Sequence, residues 1–381
     1  MFIAIPSGIE RPIMYDRSND LVVYIGRFSP FHLGHAHVIK KALETTKNLL
    51  ILVGSAFKPR TIKDPWTYVE REHMISEYIN SDEKGNVVFN GKNIIILPLR
   101  DEPYNDQKWL ENVQSAVEHT KNLLQIADED KIAITGSKKD DSSYYLKYFK
   151  SWKQQFVEPV VGLDWNDKTI SATDIRRIVF DNDKWLFSRH ATDKVPYSVF
   201  ETIERFKDTA SFAELKAEYD FITDYKRSWE SAPYAPTFLT VDAVVIQAGH
   251  VLMIKRRAAP GKGLWALPGG FVNQKEVLQD AIVRELREET RLKVPEPVLR
   301  GSIKSKEIFD DPNRSLRGRT VTTAFLFHLS EDFDLPEVKG YSDAQEAKWI
   351  PLAHINKMSE NNFEDHLTII NTLVARLTDR R

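Results

Sequence analysis

The chain has 381 residues, and at a scale of about 100–200 residues per domain this predicts two domains, with a third left open. Apolar residues make up 42% and charged residues 28%, with a net charge of −2. That balance excludes a disordered or fibrous chain and offers no electrostatic footprint for a nucleic acid or an anionic membrane. There is no cysteine, so a disulfide framework, a cysteine-ligated zinc and a thiol nucleophile are excluded, and a reducing compartment fits.

In chain order, the first 20 residues show no period and predict no element. The opening MFIAIPSGIERP lacks a basic lead and carries Glu10 early, which makes a poor signal peptide. No apolar run approaches the roughly 18 residues of a membrane span, so a soluble cytoplasmic protein is expected. From Leu21 to about Ile178, LVVYIG, LLILVG, NIIILPL and KIAITG predict buried parallel strands. The stretches His35 to Thr46 and Trp66 to Ile79 predict crossover helices. The result is a Rossmann-like α/β domain with a parallel sheet, which binds ligands beyond the carboxyl ends of its strands. Pro196 to Trp229 is polar and helical until the break at Ser231-Ala-Pro-Tyr-Ala-Pro236. Beyond it, TVDAVVIQ, HVLMIKRR, TTAFLFHL and EAKWIPL alternate as half-buried strands around one helix, Glu276 to Thr290, giving a smaller α+β domain. The predicted division is 1–195, a helical linker 196–236, and 237–381.

The first strand runs into Gly26-Arg27-Phe28-Ser29-Pro30-Phe31-His32-Leu33-Gly34-His35 and then a helix. Gly26 permits close approach of backbone to a ligand. Two imidazoles three apart at a helix N-terminus, beside Arg27, make a site for polyphosphate, where they donate hydrogen bonds as charge develops. The ordinary alternative, a turn whose histidines serve the core, suits a lone histidine better than this pair. A second patch, Ile170-Ser171-Ala172-Thr173-Asp174-Ile175-Arg176, offers Ser171 or Thr173 as a helix cap and Arg176 one turn later as an anion partner. Alone it reads as a common helix start; its weight comes from the first motif.

In this order the two motifs resemble the nucleotidyltransferases with an HxGH loop and a C-terminal ISxTxxR loop. GRFSPFHLGH looks like the nicotinamide mononucleotide (NMN) adenylyltransferases of the archaeal type. Further matching text includes Ser55 to Thr61, Pro65-Trp66-Thr67, Glu70-Arg71, Tyr104-Asn105-Asp106 and Gly136 to Asp140. The resemblance implies that His32 and His35 contact the ATP phosphates, with Arg27 and Arg176 as further partners. It implies ATP or NMN binding for Gly26, Phe28, Arg60, Lys139, Asp140, Ser171 and Thr173, and Tyr104 or Trp109 as candidates to stack on nicotinamide. Ala172 stands where many relatives carry Ser, and a loop that binds through its backbone tolerates this. The implied reaction is in-line attack of the NMN phosphate on the α-phosphorus of ATP, with pyrophosphate leaving on Mg²⁺.

In the C-terminal part, Glu285 and Glu289 fall about 20° either side of Leu278 on a helical wheel, so one face is apolar in its first turns and acidic in its last. These carboxylates, with Glu288 beside them, repel unless a cation joins them, and such oxygen ligands suit Mg²⁺ or Mn²⁺. A solvated acidic helix end is the alternative, though glutamate there has the wrong sign for the helix dipole. The run from Gly270 through Glu276 to Arg284-Glu285-Leu286-Arg287-Glu288-Glu289 resembles the Nudix box, G-x5-E-x7-R-E-U-x-E-E-x-G-U. Arg291 stands where the pattern has its last glycine, so the turn after Thr290 is expected to differ in detail. In such hydrolases a metal-bound water attacks a pyrophosphate linkage. The resemblance implies Glu285 and Glu289 as metal ligands and Glu288 and Glu289 as catalytic; Glu307, Glu337 and Glu346 are general-base candidates outside the box.

Together the halves resemble the bifunctional NMN adenylyltransferase/Nudix hydrolases of bacteria, which implies NAD synthesis joined to ADP-ribose hydrolysis. Implied partners are ATP, NMN and ADP-ribose, with no nucleic acid and no membrane; a homo-oligomer stays open. Three alternatives remain at this point: another phosphate acceptor for the first domain, an ADP-ribose sensor in place of the second enzyme, and an RNA-directed hydrolase, against which the neutral charge weighs.

Overall fold

The computed structural model describes residues 19–80, 89–126, 131–137, 148–159, 171–181 and 194–378. The chain forms two units that interleave in sequence. The first takes residues up to Gly54, Glu70–Leu99 and Leu110–Thr202; the second takes Ser55–Val69, Arg100–Trp109 and everything from Ile203.

The first unit is built on five parallel strands: β1 (Leu21–Gly26), β2 (Asn48–Val53), β3 (Asn93–Pro98), β4 (Ile132–Ser137) and β5 (Lys153–Val157). Their order is β3-β2-β1-β4-β5. The central strands β1 and β2 are buried on both faces, which is why they read as continuous aliphatic runs. Strand β5, KQQFV, is absent from the sequence-based expectation. It lies at the sheet edge with mostly exposed side chains, so it has no apolar run to betray it. Helix α1 (Leu33–Thr45) follows β1, and α2 (Tyr68–Asn80) follows β2. The chain order reverses between β1 and β4, and the loop leaving β1 at that point holds both histidines. Helices α3 (Asp106–Leu124) and α4 (Ala172–Asp181) complete the described part.

Helices α5 (Tyr197–Lys207) and α6 (Ala210–Arg227) occupy the polar region. The second unit then forms a mixed sheet from β6 (Phe238–Gln247), β7 (His250–Arg256), β8 (Trp265–Ala266), β9 (Gly269–Phe271), β10 (Ile303–Phe309), β11 (Thr320–His328) and β12 (Ala344–Pro351). Strand β6 alternates faces: Val241, Ala243 and Val245 pack with Ala281, Ile282 and Leu286 of helix α7 (Leu278–Thr290). Val244 and Ile246 pack on the opposite side with Ile369, Ile370 and Leu373. These last belong to a helix of residues His366–Thr378. The sequence reading expected a single helix here. Helices at Glu296–Gly301, Leu352–Ile355 and His366–Thr378 lie beyond that expectation, the first two because six and four residues are too short to show a period.

Leu286 is fully buried between the two carboxylates of α7 in sequence, so it anchors the helix that bears them. Leu286→Ala is expected to lower unfolding free energy by about 2–5 kcal/mol in denaturant titration. A loss below about 1 kcal/mol would show that α7 does not depend on this contact.

Candidate functional sites

In the first unit, His32 stands at the N-cap of α1 with extended backbone. Its Nδ1 accepts from the Gly34 N–H at 3.1 Å and the His35 N–H at 3.4 Å, while the His32 N–H donates to His35 Nδ1 at 3.2 Å. The two rings stack with centroids 3.6 Å apart. This is a capping box made of imidazoles, where serine and glutamate are the usual pair. Phe28 adopts a left-handed backbone, φ 53°, and its ring lies over Gly26 and edge-on to His35 at 4.8 Å. Ser171 caps α4 by accepting from the Thr173 N–H at 3.2 Å. Arg176, buried, reaches from α4 to the Ser29 carbonyl at 2.5 Å and to Thr173 Oγ1 at 3.1 Å, joining the two motifs. Arg71, which the sequence reading passed over as a site residue, is 1% exposed and donates to the carbonyls of Arg27 (2.6 Å) and Gly54 (2.7 Å). Its signal was an arginine on the same helical face as Met74 and Ile75. Arg27 itself is exposed.

Lys139 and Asp140 lie outside the described residues. Arg60, Tyr104 and Trp109 belong to the second unit. Arg60 donates to the Pro65 carbonyl at 2.7 Å and sits over the Phe206 ring. Trp109 is half-buried in the first turn of α3. Tyr104 donates to Asp365 at 2.8 Å, accepts from the Asp311 N–H at 3.1 Å and meets Phe309 edge-on.

In the second unit, Arg284 gathers the box. It pairs with both oxygens of Glu276 (2.8 and 2.9 Å), with Glu285 (2.7 Å) and Glu288 (3.3 Å), and with the Phe271 carbonyl (3.1 Å). This bidentate hydrogen bonding holds the Glu276 carboxyl down at about 2. Glu289 is buried, and its Oε2 accepts from the Gly269 N–H at 2.9 Å. Burial pushes Glu289 up to about 8, with the charges of Glu285 and Asp343 adding. Burial also raises Glu285, against the pull of Arg284. Two upward-shifted carboxyls on one helix face make a place short of positive charge. Among the described residues no group of three or more Asp, Glu or His side chains is gathered to hold a metal ion.

Arg291 corrects the expected change of turn. It closes α7 in the left-handed conformation, φ 51°, with its N–H on the Arg287 carbonyl, which is the cap glycine would make. Its guanidinium lies 3.6 Å from the Tyr341 ring centre, a contact that offsets the cost of a side chain there. Of the three outside candidates for a base, Glu337 is ion-paired with Lys293 and Glu307 with Arg376, while Glu346 is exposed on β12.

Below the box lies a buried polar network that the sequence reading missed. Arg314 pairs with both oxygens of Asp365 at 2.8 and 2.9 Å. Thr322 donates to Asp242 at 2.6 Å, and the Leu267 N–H donates to His366 Nδ1 at 2.8 Å. These groups are scattered over 124 positions from Asp242 to His366, so no local motif announces them.

The fold and the two sites define an HxGH nucleotidyltransferase followed by a Nudix hydrolase. A cytidylyltransferase-like family model matches residues 23–178, and a NUDIX domain model matches 236–371. The chain is 31% identical over 200 residues to the nicotinamide/nicotinic acid mononucleotide adenylyltransferase of Acinetobacter baylyi, covering 52% of this chain and 93% of that one. It is 33% identical over 126 residues to the ADP-ribose pyrophosphatase of Methanocaldococcus jannaschii, covering 33% and 69%. A crystal structure of a bifunctional NMN adenylyltransferase/ADP ribose pyrophosphatase from Francisella tularensis, complexed with AMP and a manganese ion, superposes with a TM-score of 0.84 at 34% identity, covering 94% of this chain and 99% of that one. The chain belongs to this family of bifunctional NMN adenylyltransferase/ADP-ribose pyrophosphatases.

The Arg291 cap gives a stability prediction. Arg291→Ala keeps the left-handed strain and loses the Tyr341 stack, so it should destabilise by about 1 kcal/mol in thermal unfolding, whereas Arg291→Gly should stay within about 0.5 kcal/mol of the parent. Equal losses from both would contradict this account of the turn.

Proposed function

We propose that the chain makes NAD and pyrophosphate from ATP and NMN in its first unit, and hydrolyses ADP-ribose to AMP and ribose 5-phosphate in its second. The observation that supports this most strongly is the presence of both assembled sites in a chain similar along its length to the Francisella protein. A cytoplasmic setting is part of the same reading, consistent with a cysteine-free sequence; no helix among the described residues is long and apolar enough to cross a membrane.

In the transfer reaction an NMN phosphate oxygen bonds to the α-phosphorus of ATP as the bond to the β-phosphate oxygen breaks. His32 and His35 donate to the nucleotide phosphates at the end of β1. Arg27 and Arg176 supply positive charge, and Arg176 also fixes the loop through Ser29 and Thr173. Ser171 and Thr173 present the amide end of α4, and the resemblance adds Lys139 and Asp140 to nucleotide binding. Both aromatic candidates for nicotinamide, Tyr104 and Trp109, belong to the second unit, and the hydroxyl and ring edge of Tyr104 are engaged by Asp365 and Phe309.

In the hydrolysis, Glu285 and Glu289 would hold a divalent cation, Mg²⁺ by preference with Mn²⁺ as a substitute. When bound, the cation supplies Lewis acidity toward the diphosphate and lowers the pKa of water. The chain's own residues set the geometry. Arg284 orients Glu285, the Gly269 N–H orients Glu289, and Glu288 adds negative charge at the exposed edge. Asp343 is a carboxylate outside the helix whose charge reaches both Glu285 and Glu289. Water bonds to one phosphorus of the diphosphate, and the bond to the bridging oxygen breaks.

Product chromatography tests the proposal. The protein with ATP, NMN and Mg²⁺ should give NAD, and with ADP-ribose and Mg²⁺ it should give AMP. Glu289→Gln should lower hydrolysis by at least about 100-fold and leave NAD formation unchanged. Absence of NAD would sink the first reaction; ADP-ribose bound but uncut would turn the second unit into a sensor. Removing divalent cations with a chelator should stop ADP-ribose cleavage, and adding Mn²⁺ should restore it. Cleavage at the parent rate in the chelator would contradict the metal role of Glu285 and Glu289.

A further inference from the structure

We infer that Glu218, on the helix that the sequence reads as part of a linker, is a positioning residue of the hydrolase: it holds the loop between β7 and β8 by the Gly261 N–H and, through that loop, the Arg256 guanidinium. The clamp follows from the geometry of the second unit; its role in hydrolysis rests on the reaction proposed above.

Helix α6 buries Phe212, Leu215 and Ile222. Glu218 falls three residues after Leu215 and four before Ile222, so it shares their face. A carboxylate on an apolar face needs a partner, and Glu218 Oε2 accepts from the Gly261 N–H at 2.8 Å. Burial pushes the Glu218 carboxyl up, against the pull of that N–H and of Arg256. The loop it grips has little freedom. Gly261 stands at φ 71°, and a Cβ there would come 2.3 Å from Phe363 Cδ2. Over the same ring lies the Arg256 guanidinium, 4.1 Å from its centre, and Arg256 Nε donates to the Pro260 carbonyl at 2.8 Å. The Gly263 N–H closes the loop on the Arg256 carbonyl at 2.9 Å. Arg256 is thus placed by the neighbour of the residue that Glu218 holds, and its charge reaches Glu289 and Asp343.

The other end of the helix reaches the same sheet. Tyr225, and Trp229 just past the end of α6, meet Phe238 of β6 with ring centres 5.8 and 5.3 Å apart. Phe238 in turn meets Phe271 at 5.8 Å, one residue after Gly270 of the box, and the Phe271 carbonyl takes Arg284. All of these residues fall in the second unit, which takes everything from Ile203. The segment read as a linker therefore touches the hydrolase at a strand and at a loop, and the contact at the loop is the one that bears on Arg256.

Two variants of the full chain, measured well below their melting temperatures, test this. Glu218→Ala removes the acceptor, whereas Glu218→Gln keeps an oxygen for the Gly261 N–H without the charge. For Glu218→Ala, kcat/KM for ADP-ribose hydrolysis should fall at least about 10-fold. Glu218→Gln should stay within about 2-fold of the parent, and NAD formation should be unchanged in both. Hydrogen exchange over residues 257–264, read by mass spectrometry, should be at least about 10-fold faster in Glu218→Ala and parent-like in Glu218→Gln. Hydrolysis at the parent rate in Glu218→Ala overturns the positioning role, and equal losses in the two variants overturn the hydrogen bond as its means. Unchanged exchange in Glu218→Ala overturns the clamp itself. If the parent leaves ADP-ribose uncut, the proposed hydrolysis fails and the role in it fails too, while the exchange still reads whether Glu218 holds the loop.

Discussion

The Gly269 N–H donates to Glu289 at 2.9 Å, and the strand that places it there tolerates no side chain. A Cβ at Gly269 would overlap the Val241 carbonyl oxygen and come 2.8 Å from Asp242 Oδ1; one at Gly270 would come 2.6 Å from Glu285 Oε1. The two carboxylates of α7 are thus set by close approach of bare backbone. The first unit uses the same device at Gly34, over which the His32 ring closes. In both units a glycine marks where a functional side chain is folded onto main chain, and the functional geometry depends on that missing Cβ.

The polar network behind β9 supplies the rigid side of this contact. Asp242, held by Thr322, backs Gly269, and His366 takes the Leu267 N–H two residues earlier. Burying so many polar groups is tolerable because each described partner is satisfied in turn, Arg314 by both oxygens of Asp365. The two sites then solve opposite electrostatic problems. In the reactions proposed above, the first would present donors, imidazole and guanidinium, to phosphate oxygens. The second would gather carboxylates for a cation, and burial raises the affinity of Glu285 and Glu289 for protons. For a chain proposed to make and break the same kind of diphosphate linkage, positive groups would serve in one place and acceptors for a cation in the other.

Much of this was legible in the sequence. Central strands β1 and β2 announce themselves because burial on both faces demands unbroken aliphatic runs, and the two motifs are local, so spacing alone places His32, His35, Arg176, Glu285 and Glu289 on the right elements. Strand β5 was not legible, because an exposed edge strand selects for polar residues. Nor was the link from Arg176 to Ser29, 147 positions apart, or the pairing of Arg314 with Asp365, since these exist only after folding. Arg291 shows the reverse limit. A pattern that asks for glycine describes a backbone conformation, and here an arginine reaches it with help from Tyr341.

The most direct test of the glycine constraint is to make Gly34→Ala and Gly270→Ala and measure both reactions in each. Gly34→Ala is predicted to lose NAD formation and keep ADP-ribose hydrolysis, and Gly270→Ala to do the opposite, each loss being on the order of 100-fold for a displacement of about 1 Å. An alanine that leaves its own reaction intact would contradict the account, and so would one that abolishes both.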